Sequence, residues 1–189
     1  MKDNRIFLLV GKSGSGKSYI AQLLSRYGYS EIQSYTTRPP RTPNEIGHTF
    51  VNNEGFDALT DLVAYTEFDG YRYAATTQQV ETHGVYVIDP AGVEYFKDHY
   101  HGKKTITVIY VKANGWTRFW RMIRRDGLLK AIHRMRNDRK AFNNDWLKRN
   151  CHRVLCNNVS DNVELQVANM ILGYDLINSM KGYRRENRN

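Results

Sequence analysis

Cysteine, acidic side chains and long apolar runs are all scarce in this chain of 189 residues. Its two cysteines, Cys151 and Cys156, are too few for a disulfide framework and are typical of a reducing compartment, so we expect ordinary half-buried thiols. The apolar run from Ile6 to Val10 is far shorter than the roughly 20 residues that cross a bilayer, and no small-residue cleavage site follows it. We therefore expect a cytoplasmic protein without a membrane span.

Negative charge is also in short supply. Aspartate and glutamate number 19 against 28 lysines and arginines, which gives a formal net charge of +9. Such an excess suits a polyanionic partner, either a nucleic acid or a nucleotide that carries several phosphates. The six histidines show no metal-ligand spacing, and the pair His99 and His101 is best explained as surface residues. The length allows one ordinary domain with a hydrophobic core.

Apolar patterns divide the chain into alternating strands and helices. Bounded apolar runs predict buried strands at residues 6–10, 85–88, 105–111 and 154–156. Helical spacing predicts helices at residues 17–27, 56–64 and 161–180, and two more within 116–142 that break near Gly127. The last helix would direct inward Val163, Val167, Met170, Ile171 and Tyr174. This alternation predicts an α/β fold with a parallel central sheet and helices on both faces.

The segment from Gly11 to Ser18 matches the phosphate-binding pattern G-x-x-x-x-G-K-[ST] in full, between a predicted strand and a predicted helix. Its glycines let backbone N–H groups point at phosphate oxygens, and the helix that follows presents its positive end to the same anion. Lys17 is expected to bridge the β- and γ-phosphates of ATP, and the Ser18 hydroxyl to ligate Mg²⁺. The ATP-binding residues predicted in this P-loop are Gly11, Ser13, Gly14, Ser15, Gly16, Lys17 and Ser18.

A segment with two arginines and two prolines follows the first predicted helix. Residues 34–41, S-Y-T-T-R-P-P-R, place Arg38 and Arg41 three positions apart in a stretch stiffened by proline. Arginines presented in this way can grip a monophosphate through paired hydrogen bonds. In isolation, a solvated basic loop explains the pattern equally well.

Together, the P-loop and the T-T-R-x-P-R segment resemble guanylate kinases. Looser matches extend the resemblance over roughly residues 6–175; they are E-I-G at 45–47, F-D-G-Y-R-Y at 68–73, D-P-A-G at 89–92 and V-L-C-N at 154–157. The resemblance implies a three-layer P-loop kinase fold. Its core would comprise residues 1–33, 86–115 and 150–180, with a small acceptor-binding insert at about 34–85 and a helical lid at about 116–142.

The resemblance also implies roles for individual residues. The acceptor nucleotide would be held by Ser34, Arg38, Arg41, Tyr73, Thr76 and Asp89. Arg121, Arg125 and Arg134 would act with Lys17 as catalytic cations on the phosphoryl group in transfer, and Asn157 would lie near the adenine. The cations of the lid could instead form a nucleic-acid surface, but aromatic residues interleave with them, and the P-loop favours the lid.

The chain departs from the family at the positions that contact the base. Ala64 replaces the expected guanine-reading glutamate, and Ala75 replaces the hydroxyl residue after the acceptor tyrosine. H-T-F at 48–50 stands where the family has a tyrosine, and Asp89 remains from a pair of aspartates. Lost hydrogen-bond partners reduce selectivity for a base.

The resemblance thus implies transfer of the γ-phosphoryl group of ATP, with Mg²⁺, to a nucleoside monophosphate, first of all GMP or dGMP. The altered positions leave open another (deoxy)nucleoside monophosphate or a phosphorylated sugar as acceptor. A non-catalytic guanylate kinase-like domain that binds an acidic or phosphorylated peptide is a further alternative, although such domains tend to have degraded P-loops.

Overall fold

The structure, a computed structural model, describes residues 4–40, 43–68 and 70–186. In this part of the chain the strands are β1 (Arg5–Val10), β2 (Ser34–Thr36), β3 (His48–Phe50), β4 (Leu62–Phe68), β5 (Tyr71–Thr76), β6 (Val85–Val87), β7 (Thr105–Lys112) and β8 (Arg153–Cys156). The helices are α1 (Lys17–Ser25), α2 (Asn53–Asp57), α3 (Thr77–Thr82), α4 (Pro90–His99), α5 (Gly115–Asp126), α6 (Leu128–Ala141), α7 (Asn144–Asn150) and α8 (Val163–Glu186).

A four-stranded parallel sheet in the order β6-β1-β7-β8 forms the centre of the molecule. Successive side chains of β1 point to opposite faces, as in any strand. Phe7 and Leu9 pack with residues of α1 and α8, whereas Ile6, Leu8 and Val10 pack with residues of α3 and α4. Because helices cover both faces, the strand is apolar from Ile6 to Val10, and the α/β fold predicted from the sequence is confirmed.

The closing helix packs as the sequence predicts. Val163, Val167, Ile171 and Tyr174 are buried in the core beside α1, and Met170 packs against the same cluster. Residues 116–142, here called the basic segment, are rich in arginine. The break between their two helices lies where the sequence predicts it. Gly127 separates α5 from α6 with a φ of 82°, a conformation that only glycine adopts readily.

The prediction of a helix at residues 56–64 is wrong. The side chain of Asn52 caps α2 by accepting a hydrogen bond from the Gly55 N–H, so the helix begins earlier, and it ends at Asp57. Asp61 then adopts a φ of 54°, which no α-helix accommodates. The apolar residues that follow belong to β4, which forms a hairpin with β5 around Gly70.

A second sheet, in the order β3-β2-β5-β4, is built from residues 34–76. It combines a parallel pair, β2 with β3, and antiparallel pairs of β5 with β2 and with β4. In the β2–β3 pair Ser34 lies opposite His48. This register brings two polar side chains together that are 14 residues apart in the chain. No helix of the described residues is long and apolar enough to cross a membrane.

Candidate active site

A cavity of about 300 Å³ opens between the two sheets and the helices of the basic segment. The P-loop contributes Gly11, Ser13 and Lys17 to its wall. The second sheet contributes Ser34, His48, Thr66 and Tyr73, the end of β6 contributes Tyr86, Val87, Ile88 and Asp89, and α6 contributes Arg134, Asn137, Asp138 and Ala141, with Phe142 just beyond it. Residues predicted for the donor phosphates and residues predicted for the acceptor therefore face one cavity.

The P-loop curls between β1 and α1 at two glycines. Gly14 and Gly16 adopt positive φ angles of 76° and 94°, which are open to glycine at little cost. The Lys17 amine donates a hydrogen bond to the Gly11 carbonyl over 2.6 Å. Ser18 lies in the first turn of α1 and is an exposed residue that does not line the cavity. Its hydroxyl is thus accessible to a metal ion, and the described residues contain no cluster of three or more His, Cys, Asp or Glu side chains that would hold one.

Lys17 lies in an unusually cationic environment. Burial is the main cause that lowers the pKa of its amine to about 8, and the positive charges of Arg125, Arg118 and Arg134 act in the same direction. The carboxylate of Asp138 opposes them and raises the pKa of Lys17. Cations concentrated in this way would be stabilised by the phosphates of a nucleotide.

Arg121 and Asn157 contact the P-loop from outside the cavity. The Asn157 amide donates to the Ser15 carbonyl over 2.8 Å, and this asparagine is buried against Gly16, where a β-carbon would collide with it. Arg121 lies 3.4 Å from the carbonyl oxygens of Gly14 and Ser15. Asn157, predicted to lie near the adenine, therefore supports the backbone of the loop.

The other two predicted lid arginines share one partner. Arg125 donates from Nε and Nη2 to Asp126, and Arg134 lies 3.4 Å from the same carboxylate. Arg134 also lines the cavity, whereas the side chain of Arg125 is more than half exposed at the end of α5. The turn between α5 and α6 thus gathers two cations close to the P-loop around one acidic side chain.

Arg118 and Asp138 are site residues that the sequence analysis did not single out. They form a buried ion pair between α5 and α6, and both bind Ser13 of the P-loop. A signal was available, because Asp126 and Asp138 are the two acidic residues within the basic segment 116–142. Asp126 pairs with Arg125 and Arg134, and Asp138 pairs with Arg118.

The opposite wall of the cavity is rich in hydroxyl and carboxylate groups. The Ser34 hydroxyl and His48 Nδ1 are 2.9 Å apart, and the Thr66 hydroxyl donates to Asp89 over 3.2 Å. Asp89 also caps α4 by accepting the Gly92 N–H. Burial is the main cause that raises the pKa of Tyr86 nearby, and the charge of Asp89 adds to it. These groups could hydrogen-bond both a phosphate and a polar ring.

Arg38 does not line the cavity itself but is hydrogen-bonded to Tyr73, which does. It is buried, pairs through both terminal nitrogens with Glu45, and lies 5.4 Å from the ring of Phe50. The hydrogen bond with Glu45 is the main cause that raises the pKa of Arg38, and a hydrogen bond with Tyr73 contributes. Tyr73 therefore connects Arg38 to the cavity. Arg41, the second predicted phosphate-binding arginine, lies outside the described residues.

Three further positions of the second sheet lie away from the cavity wall. Thr76, predicted to bind the acceptor, is the N-cap of α3, and its hydroxyl accepts the Gln79 N–H. Ala64 and Ala75, which replace the expected base-reading residues, lie directly opposite each other in the β4–β5 pair. Both alanines are buried in the apolar core beneath the sheet.

Similarity to known proteins was found in structure rather than in sequence. No protein-family model matches the chain, and a search of curated proteins gave no significant match. A guanylate kinase from Anaplasma phagocytophilum superposes with a TM-score of 0.54 at 18% identity, over 93% of this chain and 87% of that one. TT1252 from Thermus thermophilus superposes with a TM-score of 0.49 at 17% identity, over 93% of this chain and 99% of that one. At 18% identity, the first likeness shows a shared fold.

Proposed function

We propose that this protein is a nucleoside monophosphate kinase that transfers the γ-phosphoryl group of ATP, with Mg²⁺, to GMP or dGMP. The observation that carries the proposal is the shared cavity. Lys17 and Arg134 face it from the P-loop side, and Ser34, Tyr73 and Asp89 face it from the second sheet. Two substrates held in one cleft react as an intramolecular pair, which lowers the entropic part of the barrier.

The donor side suits Mg-ATP. The curled P-loop and the N-terminus of α1 would present backbone N–H groups to phosphate, and the Ser18 hydroxyl is the group that would hold Mg²⁺. The metal would bridge phosphate oxygens and neutralise part of their charge. Lys17 and the arginines around the loop would stabilise the negative charge that spreads over the phosphoryl group during transfer. Positioning and electrostatics supply most of the catalysis in such reactions.

The acceptor side suits a monophosphate ester. Ser34, His48 and Tyr73 offer polar groups on the cavity wall, Tyr73 is hydrogen-bonded to the buried Arg38, and Asp89 offers a carboxylate on the same wall. GMP and dGMP are the first candidates on family resemblance and on the likeness to the guanylate kinase fold. Closure of the cleft by α5 and α6 would exclude water, so that ATP is not hydrolysed instead.

One observation favours another acceptor of the same reaction. The positions expected to read guanine are Ala64 and Ala75, and both are buried in the core. A site without partners for a base edge discriminates weakly, because specificity comes from buried polar groups that a wrong base would leave unpaired. Another (deoxy)nucleoside monophosphate or a phosphorylated sugar is therefore the second candidate.

The test is a turnover assay with Mg-ATP and a panel of acceptors. ADP formation is measured with GMP, dGMP, AMP, CMP, UMP, dTMP and a sugar phosphate. Turnover with GMP or dGMP alone supports the first acceptor, and turnover with other members supports the second. If no acceptor reacts while the protein binds an acidic phosphopeptide, the enzymatic proposal is wrong and a peptide-binding domain takes its place.

Lys17→Ala should abolish turnover with every acceptor, because the β- and γ-phosphates lose their cation, while the circular dichroism spectrum stays unchanged. Lys103→Ala, at an exposed position far along the chain, controls for the loss of one positive charge. Full activity of Lys17→Ala would refute the assignment of the P-loop.

A further inference from the structure

Ser13, near the apex of the P-loop, is held by one ion pair at all of its polar groups. The carboxylate of Asp138 accepts the Ser13 backbone N–H, at 2.9 and 3.1 Å to its two oxygens, and also the Ser13 hydroxyl at 3.1 Å. Arg118 Nε donates to the Ser13 carbonyl over 2.9 Å. Arg118 Nη2 completes the set through its ion pair with Asp138. The N–H, the carbonyl and the hydroxyl of one residue are thus bonded to the two lid helices.

Backbone contact strengthens this junction. A β-carbon on Gly14 would lie 2.7 Å from the carbonyl oxygen of Arg118, so the loop and α5 touch without an intervening side chain. Gly14 also has a positive φ, and any other residue would be strained there. The curvature of the P-loop and the placement of α5 are therefore coupled at Ser13 and Gly14.

Stability does not account for this ion pair. Arg118 and Asp138 are 6% and 7% exposed, and the desolvation of two buried charges offsets most of their attraction. Apolar residues of similar volume at both positions are often as stable or more so. Asp138 is also unsuited to binding phosphate, because it is an anion on the wall of a cavity proposed for anions. Its function is better explained through the residue that it holds.

We propose that Arg118 and Asp138 are positioning residues that hold Ser13, and through it the P-loop backbone, in the conformation that binds the donor triphosphate. Asp138 neutralises Arg118, so this arginine serves the loop and leaves the phosphates to Lys17 and Arg134. The inference rests on the proposed function: its affinity readout needs Mg-ATP to bind at the P-loop, and its kinetic readout needs phosphoryl transfer as well.

The decisive variant replaces both charges, Arg118→Met with Asp138→Leu. Its melting temperature should stay near that of the wild type, because both charges of the pair are removed together and Ser13 lines the cavity, where water can replace its lost hydrogen bonds. Its Kd for Mg-ATP, measured by isothermal titration calorimetry, should rise at least about tenfold because the Ser13 groups lose charge-assisted hydrogen bonds. In turnover assays the KM for ATP should rise by the same factor and the KM for the acceptor should not.

The matched control is Arg72→Met with Asp57→Leu, which removes an arginine–aspartate pair from the second sheet and α2. Its Kd for Mg-ATP should match that of the wild type. If the Arg118 and Asp138 double variant folds and binds Mg-ATP with wild-type affinity, the pair is merely structural and the inference is overturned.

A smaller change covers the case in which the double variant does not fold. Ser13→Ala deletes the hydroxyl alone and should raise the Kd for Mg-ATP by about fivefold, the effect of one hydrogen bond. A wild-type Kd for Ser13→Ala would overturn the inference in that case. A wild type that binds Mg-ATP but transfers phosphate to no acceptor would defeat the proposed function, and the affinity comparison would still decide the role of the pair.

Discussion

At the scale of single residues, the site depends on polar groups that the fold brings together from distant segments. Ser34 and His48 meet because β2 and β3 pair in parallel. Lys17 meets Asp138 because α6 returns to the P-loop. The sequence marks the P-loop residues directly, since glycine, lysine and serine have separate tasks at fixed spacing. His48 belongs to the H-T-F segment that departs from the family pattern, but its place on the cavity wall emerges only from strand pairing.

His48→Phe tests the acceptor wall. Phenylalanine keeps a ring beside Tyr73, whose ring centre lies 5.6 Å from that of His48, but it loses the hydrogen bond to Ser34. The KM for the acceptor should rise about tenfold, as expected for the loss of one or two hydrogen bonds, and the KM for ATP should not change. His101→Phe, at an exposed position, is the control. An unchanged acceptor KM in His48→Phe would remove His48 from the site.

At the scale of elements, capping decides several boundaries that apolar patterns left unclear. Asn52 starts α2, Thr76 starts α3 and Asp89 starts α4, each by accepting a backbone N–H of the first turn. Two of these caps lie at positions that family resemblance assigned to the acceptor. Asp89 caps α4 and also lines the cavity, so it can serve the helix and the acceptor. Thr76 caps α3 and does not reach the cavity wall.

Thr76→Val tests whether Thr76 only caps α3 or also binds the acceptor. Valine has the shape of threonine without its hydroxyl, so α3 loses the acceptor for the Gln79 N–H. The free energy of unfolding should fall by about 0.5–2 kcal/mol in urea denaturation. The acceptor KM should stay at the wild-type value, and a large increase would restore Thr76 to the binding site.

His152 joins β7 to the segment that leads into β8, and this junction should depend on pH. Its Nδ1 accepts the Val108 backbone N–H over 2.8 Å, which requires the neutral ring. Burial is the main cause that lowers the pKa of His152, and the charges of Lys97 and Arg153 add to it. Its contribution to stability is therefore complete above the unfolded pKa of about 6.5 and is lost as the pH falls through the folded value.

The measurement is the melting temperature as a function of pH between about 7 and 5, across the unfolded pKa of histidine. His152→Asn keeps an acceptor for the Val108 N–H but does not titrate, so the fall of the melting temperature towards low pH should become shallower. An identical pH profile for the two proteins would show that His152 does not couple protonation to folding.

At the scale of the whole molecule, positive charge lies close to the cavity where the two sheets meet α5 and α6. Lys17 and Arg134 line the cavity, and the charges of Arg118 and Arg125 act on Lys17, while apolar cores fill the space on both sides of the central sheet. Phosphates that bind in this cleft should reduce the repulsion between Lys17 and the arginines near it. Ligand binding should then stabilise the entire fold, since the residues that line the cleft come from segments between Gly11 and Phe142 that belong to both sheets and to α6.

Mg-ATP at about 100 times its Kd should stabilise the protein by about 2.7 kcal/mol. For a chain of this size that corresponds to a rise of roughly 5–10 °C in the melting temperature, which differential scanning fluorimetry measures readily. Lys17→Ala should lose most of the shift. An equal shift in the wild type and in Lys17→Ala would place the nucleotide outside the P-loop.

The sequence by itself determined the parallel sheet, the P-loop and the basic helices broken at Gly127, because these depend on local periodicity and on short motifs. It could not show that residues 62–68 form a strand, since their apolar pattern suits either structure until a sheet partner is present. Only the tertiary structure decided that Asn157 supports the P-loop, that Thr76 caps a helix, and that Arg118 and Asp138 grip Ser13. Those relations join residues more than 100 positions apart or depend on caps, so no local pattern carries them.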